Sequence, residues 1–282
     1  AKLVSVDAWG TNVWSSMAYS FSGANNFVIN ATDTPNLSAV TDMTAAFQYA
    51  FAFNNSIGSW DVSRVNNMNS MFLGASSFNQ PLGSWNTINV TDMGSMFRGA
   101  SSFNQDINSW DVSRVTNLSG MFTGASSFNQ PLASWNTSAN TSTNSMFYNA
   151  SSFNQPLNSW NTSSVTNMTS MFGRASTFNQ PLNSWDVSRV TNMTGLFNLA
   201  SSFNQDLSSW NISSVNRMTG MFNDVTLSVA NYDALLSSWS TKTLQSNVSL
   251  DAGNSKYCNS ATQRTNIINT FHWTINDGGN AT

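Results

Sequence analysis

The chain contains no glutamate, one cysteine and one histidine; all thirteen of its acids are aspartate. Lysine is missing between Lys2 and Lys242 and the arginines are scattered, so there is no basic stripe and no nucleic-acid partner is expected. No apolar run reaches the roughly 18 residues that a membrane span needs, so no segment is expected to cross a bilayer. A single cysteine excludes an internal disulfide framework. Cys258 reads as a small buried apolar residue, with a reactive or intermolecular thiol as the alternative. His272, between Phe271 and Trp273, reads as a packing residue of a terminal cap rather than a ligand. No Gly-rich phosphate loop occurs. A catalytic triad needs three converging groups, and one His and one Cys leave little to build one from. No catalytic, metal-ligating or cofactor-binding residue is assigned, no cofactor is expected, and the chain is not expected to be an enzyme. The sequence starts at Ala1 without Met and shows no signal peptide, which reads as a mature chain whose leader has been removed.

What the sequence does have is a repeat. Tryptophan recurs with a 25-residue period, at Trp60, Trp85, Trp110, Trp135, Trp160, Trp185 and Trp210. Eleven positions after each stands Met, or Leu at Leu196, followed always by Phe, from Phe72 to Phe222. Ala follows at Ala75, Ala100, Ala125, Ala150, Ala175 and Ala200, then Phe-Asn-Gln. A fixed period of this length marks stacked supersecondary units that bury their apolar faces only against each other.

Within a unit, Leu157, Trp160 and Thr162 read as a short strand. Met168, Met171, Phe172 and Ala175, at i, i+3, i+4, i+7, read as one or two helical turns. Proline at positions 81, 131, 156 and 181 suits a turn. The expected fold is an α/β repeat solenoid of the leucine-rich-repeat kind, with short parallel strands and short helices stacked at the 25-residue period between two caps. About eight units at strand spacing give a rod on the order of 40 Å long. The segments are an N-terminal cap at 1–34, the repeats at 35–222 and a C-terminal α/β cap at 223–282. In the last, Asn231–Ser240 and Ser260–Phe271 read as helices, Asn247–Leu250 and Trp273–Ile275 as strands.

Several polar positions recur with the unit. Asn79, Asn104, Asn129, Asn154, Asn179 and Asn204, each followed by Gln, read as a structural ladder that satisfies turn backbone, with a ligand-binding row as the sharper alternative. Asp61, Asp111 and Asp186 follow Trp, and Arg64, Arg114 and Arg189 stand three positions later; the units with Asn in place of Asp lack that Arg. This pairing reads as a local salt bridge, worth about 0–1 kcal/mol if exposed. Thr91, Thr116, Thr141, Thr166 and Thr191 form another row, explained by turn hydrogen bonds or by ice or carbohydrate binding. One unit is irregular: Asn140 stands where the others have Val, and Thr143 where they have Met or Leu. It reads as a weakened coil, or as a specialised site with a glycan on Asn140.

Fourteen N-x-[ST] sequons are candidate N-glycosylation sites: Asn30, Asn36, Asn54, Asn89, Asn117, Asn136, Asn140, Asn149, Asn161, Asn167, Asn192, Asn211, Asn247 and Asn280. With 41 Asn and 75 Ser plus Thr, chance supplies about 11, so placement says more than number. Asn136, Asn161 and Asn211 share one repeat position, and Asn117, Asn167 and Asn192 another; sugars there would line rows along the stack.

Two resemblances follow. Leu182, Trp185 and Val187 are similar to the strand of a leucine-rich repeat with Trp in a leucine slot, although Val190 stands where its Asn would be. The full pattern W-[DN]-x-S-x-V-T-x-M-x-x-M-F-x-x-A-x-x-F-N, over about positions 35–222, resembles the BspA-like surface proteins, whose repeats have this same length. The tail, in NYDALLSSWS, SKYC and HWTINDGG, is similar to the segment that follows those repeats. The resemblance implies a secreted or cell-surface protein with adhesive or undefined roles. The expectation is a non-enzymatic extracellular rod for adhesion or self-assembly into fibres, with other proteins, glycans or head-to-tail copies of itself as partners. The alternative is a carbohydrate- or ice-binding module.

Overall fold

The computed structural model describes residues 4–281. The start at Ala1 and the lysine at Lys2 lie outside the described residues. Successive 25-residue units lie against each other, joined by backbone hydrogen bonds between residues 24 or 25 positions apart. In one unit Met71, Phe72, Ala75, Phe78, Leu82 and Trp85 are all 4% exposed or less. The recurring apolar positions thus face inward together, because no single unit has enough surface to bury them alone. Two phenylalanine columns run the length of the stack. Phe47, Phe72, Phe97, Phe122 and their successors to Phe222 stack at ring-centroid separations of 5.5–5.9 Å. Phe53, Phe78 and their successors to Phe203 stack at 5.8–6.1 Å. The columns touch within a unit, with Phe72 and Phe78 4.1 Å apart. Aromatic contacts of this kind each add about 0.5–1.5 kcal/mol beyond area burial. The indole Nε1–H groups lock the tiers, Trp85 donating to Ile57 O at 3.2 Å and Trp110 to Leu82 O at 3.0 Å, and so on to Trp210.

The helix expected at Met168–Ala175, and at its counterparts in the other units, does not form. The segment is a series of tight turns. Met71 N–H donates to Met68 O, Leu73 N–H to Ser70 O and Ala75 N–H to Phe72 O, while the intervening N–H groups leave the unit: Met68 to Asp92 O, Ser70 to Gly94 O, Phe72 to Met96 O and Gly74 to Arg98 O. Two positions per unit take positive φ, for instance Ser70 (57°) and Gly74 (73°). Positive φ at the third residue makes the Met68–Met71 and Phe72–Ala75 turns type II. The spacing i, i+3, i+4, i+7 is common to a helix and to consecutive turns. The neighbouring unit decides between them, because it captures the N–H groups that an i→i−4 ladder would need.

The strand expected at Leu157–Thr162 is likewise not a strand. Parallel pairing falls instead on the residue before the first Met. It is one bridge per unit, running through Asp42, Asn67, Asp92, Asn117, Ser142, Asn167, Asn192 and Arg217.

At the N-terminal end β1 (Ser5–Val6) pairs in parallel with β2 (Val28–Ile29). The inter-unit ladder has already begun inside the segment assigned to the cap: Met17, Tyr19, Phe21 and Gly23 N–H donate to Asp42, Thr44, Ala46 and Gln48 O. At the other end the order is α1 (Val229–Trp239), β3 (Ser249–Asp251), α2 (Ala261–Phe271) and β4 (Thr274–Asn276), with β3 and β4 parallel. Ser228 caps α1, its Oγ accepting from Asn231 N. Tyr232, Leu235, Leu236 and Trp239 form its buried stripe. Met218 bridges to Leu250 and Phe222 N–H donates to Asp251 O, so β3 continues the pairing of the last unit. Among the described residues no helix is long and apolar enough to cross a membrane.

Candidate functional site

The recurring Asn side chains sit in the turn after the second Phe, where the chain passes from one unit to the next. The Oδ1 of each accepts two hydrogen bonds from the following unit. Asn79 Oδ1 takes Asn104 N–H at 3.0 Å and Gln105 Nε2 at 2.9 Å, and the pattern repeats at Asn104, Asn129, Asn154 and Asn179. Asn54, considered in the sequence only as a sequon, is the first rung, accepting from Asn79 N and Gln80 Nε2. The last rung, Asn204, passes to the cap, where Ser228 N and Asn231 Nδ2 donate to its Oδ1. These amides are committed to the stack, with their acceptors facing protein donors.

A second row bonds within its own turn. Asp61, Asp111 and Asp186 do not pair with their arginines, correcting the expected salt bridges. Each carboxylate accepts from the N–H two positions on, Ser63 at 3.0 Å, Ser113 at 2.9 Å and Ser188 at 2.9 Å. Hydrogen bonds from those serines hold the three carboxyls below the ordinary aspartate value. Asn136, Asn161 and Asn211 accept the equivalent bond, so Asp and Asn interchange there because both carry the needed oxygen. Arg114 instead reaches Asn89 Oδ1 in the neighbouring unit, at 3.1 Å. Among the described residues the one ion pair is Arg264–Asp277, at 2.7 Å, in the C-terminal cap. There Tyr232 Oη donates to Asp277, and burial followed by that carboxylate pushes the phenol far up, so it stays neutral. For Arg264, burial works to lower the guanidinium, but the bond to Asp277 outweighs it and the net shift is upward.

The sequons divide by exposure. Asn30, Asn36, Asn54, Asn89, Asn136, Asn149, Asn161, Asn211, Asn247 and Asn280 are exposed, and Asn117, Asn167 and Asn192 are half-buried. Thr282, which completes the sequon of Asn280, lies outside the described residues. Asn140 is 1% exposed with its Nδ2 donating to Thr116 O, a setting that fits the weakened coil and leaves that amide no open path for the alternative, a glycan. Its Oδ1 and the Oγ1 of Thr143 are buried without a hydrogen-bond partner. The threonine row is also engaged. Thr91, Thr116, Thr141 and Thr191 Oγ1 donate to carbonyls of the preceding unit at 3.1–3.4 Å.

Two single residues are placed differently from expectation. Cys258 is exposed rather than buried, because its backbone N–H joins those of Asn259 and Ser260 on the Asp233 carboxylate and turns the loop outward. His272 is exposed too, and takes a left-handed φ of 59° to end α2.

Among the described residues no three of His, Cys, Asp or Glu lie close enough to hold a metal ion. The hollows are on the outer surface. One of about 520 Å³ is lined by Ser38, Ala39, Thr41, Ser63, Arg64, Asn86 and Asn89. Another of about 370 Å³ is lined by Arg98, Thr123, Ser145, Tyr148 and Ser170. The sequence reading passed over Tyr49, Phe51, Arg98 and Tyr148. The signal for two of them lay in the repeat itself: Phe51 stands where later units carry Ser, and Tyr49 where the next three carry Gly.

No match was found among curated proteins or among solved structures. One family model matches three overlapping stretches, residues 15–131, 82–182 and 156–264, which together take in every repeat unit. The chain is therefore a repeat protein belonging to the family described as "Mycoplasma protein of unknown function, DUF285".

Proposed function

We propose that the chain is a non-catalytic extracellular or cell-surface scaffold, a solenoid related to leucine-rich repeats that presents its outer face for adhesion or for assembly with further copies. The observation that carries this reading is the assignment of duties along the stack. The same Asn, Asp, Thr and Trp groups recur from unit to unit, and in each they bond the neighbouring unit or their own turn. The recurring polar residues thus serve architecture, and what varies between units is left on the outside for recognition. Exposed apolar residues support contact through one end of the stack: Val4, Val13, Tyr19 and Val28 are 65%, 57%, 61% and 43% exposed, and all lie before the first full repeat. The two ends of a solenoid differ, so copies joined end to end meet through unlike surfaces, a contact that extends as an open filament wherever its rotation does not close a ring.

Surface labelling of intact source cells, with fractionation, tests the location; recovery of the protein only from the cytosolic fraction would overturn it. Sedimentation of the purified chain over a wide concentration range tests assembly. Concentration-dependent growth is the expected result, and a monomer throughout leaves adhesion as the surviving role.

A further inference from the structure

The largest aromatic departures from the repeat on the outer surface lie on one corner. Tyr49 and Phe51 are 47% and 46% exposed, their ring centroids 6.1 Å apart and their planes tilted by 44°. A positive-φ row runs one residue per unit as far as Asp224, and it includes Tyr49, Gly74, Gly99, Gly124 and Asn149, with φ of 55°, 73°, 72°, 69° and 57°. The N–H of each donates to the unit that follows, so the five stand in register. The Tyr49 ring lies over Gly74, 2.7 Å from where a Cβ would stand, and beyond it the surface falls to bare main chain: a Cβ added at Gly99 would meet nothing nearer than Gly74 Cα, at 3.5 Å. Arg98, next to Gly99, also lines the hollow of about 370 Å³ together with Thr123, Ser145, Tyr148 and Ser170, where the Tyr148 ring lies over Gly173. Ser76, Ser101 and Ser126 border the other side, where Phe51 stands in the preceding unit. The result is a shallow trough three unit spacings long, from Tyr49 to Gly124, roughly 14 Å at strand separation. Its floor is glycine backbone, with the Tyr49 and Phe51 rings at one end.

We propose that this trough binds an extended, unbranched oligosaccharide. Exposed tyrosine and phenylalanine faces stack against the C–H faces of sugar rings, and their few rotatable bonds keep the entropic penalty small. Hydroxyls along the border and the Arg98 guanidinium answer sugar hydroxyls. The Arg98 side chain is exposed and makes no hydrogen bond or ion pair within the described residues. Aromatic walls with a few convergent polar groups are the usual make-up of a small-ligand site. A nucleic acid is disfavoured by one guanidinium and a net charge of −3. An amphipathic helix is disfavoured by a floor of peptide groups. The proposal deepens the scaffold reading and rests on it.

The test is calorimetric titration of the full chain with cellohexaose and, separately, chitohexaose. Parent protein is compared with Tyr49→Ala/Phe51→Ala and with Gly99→Asn. Asn149 occupies the same row with φ of 57°, so asparagine suits the backbone there while raising the floor. The expected result is binding of at least one hexasaccharide, weakened tenfold or more in each variant, with melting temperature unchanged in Gly99→Asn. Absence of binding by both sugars at millimolar concentration overturns the proposal, as does parent-like affinity in both variants. Surface attachment retained by Tyr49→Ala/Phe51→Ala removes the trough and leaves the scaffold. Shortened sugar products on chromatography remove the non-catalytic reading and leave the trough.

Discussion

Asn140 and Thr143 are the residues at which the stack works against itself. In other units the same core positions carry Val and Met, and here two polar oxygens are buried without partners. An unsatisfied buried polar group costs about 1–3 kcal/mol, and a shortened side chain leaves unfilled volume besides. Asn140→Val with Thr143→Met is therefore expected to raise stability by about 2 kcal/mol or more, read as a higher denaturation midpoint. Thr116 O loses the Asn140 bond but keeps its donor Thr141 N–H, so the double change orphans nothing new. The ladder predicts the opposite sign. Asn129→Ala leaves Asn154 N–H and Gln155 Nε2 without their Oδ1 acceptor, at an expected loss of about 1–3 kcal/mol by chemical denaturation. Asn129→Asp keeps an acceptor oxygen and is expected to lose less.

Among the elements, the loop between β3 and α2 depends on one carboxylate. Asp233, on α1, accepts from the backbone N–H of Cys258, Asn259 and Ser260 and from Ser260 Oγ. Partial burial works to raise its pKa, but the bonds from Ser260 and the loop amides win and hold it below the ordinary aspartate value. Asp33 is lowered by Trp9 and Gly10 N–H in the same manner. A carboxyl depressed in the folded state stabilises fully above its unfolded value and loses that contribution as pH falls through the folded one. Stability is thus expected to hold above about pH 4 and to decline below it, as thermal melts across that range would read. Asp233→Ala is expected to lower stability by about 1–2 kcal/mol at neutral pH and to make the melt of the C-terminal cap less acid-sensitive. Elements are also where sequence periodicity misleads. The two helices of the cap were legible because Ser228 caps one and Tyr232, Leu235, Leu236 and Trp239 stripe it. The repeat segments carry an equally regular apolar spacing, yet turn rather than wind, since every second N–H belongs to the next unit.

For the whole molecule, stability is expected to follow the number of stacked units and the interfaces between them. Deleting residues 111–135 removes one unit and joins Trp110 to Asn136, restoring the Trp-Asn pair found in other units. The shortened chain is expected to fold with the same circular dichroism per residue and a lower denaturation midpoint. Deleting only half a unit would place Phe over polar positions and is expected to abolish cooperative melting. The stack is also directional: along the Met-to-Ala segment the N–H groups of one unit donate to the carbonyls of the next, whereas those at Thr116 and Ser102 donate to the unit before. β3 receives that ladder at the C-terminal end through Asp251 O.

Taken alone, the sequence dictates the period, the inward-facing residues and the division into repeats and a C-terminal α/β segment, because a 25-residue register with Trp, Met, Phe and Ala at constant positions admits no other burial. It also marks the Asn row and the irregular unit. How the backbone runs between those positions is settled in the folded stack, since the choice between helix and turns rests on hydrogen bonds to the adjoining unit. Stacking likewise settles that the acids cap their own turns instead of meeting arginine, that Cys258 faces outward, and that Tyr49 and Phe51 stand side by side on the outer surface. Those outcomes depend on which side chains the stacking brings side by side, a relation between units that the register within one unit does not contain.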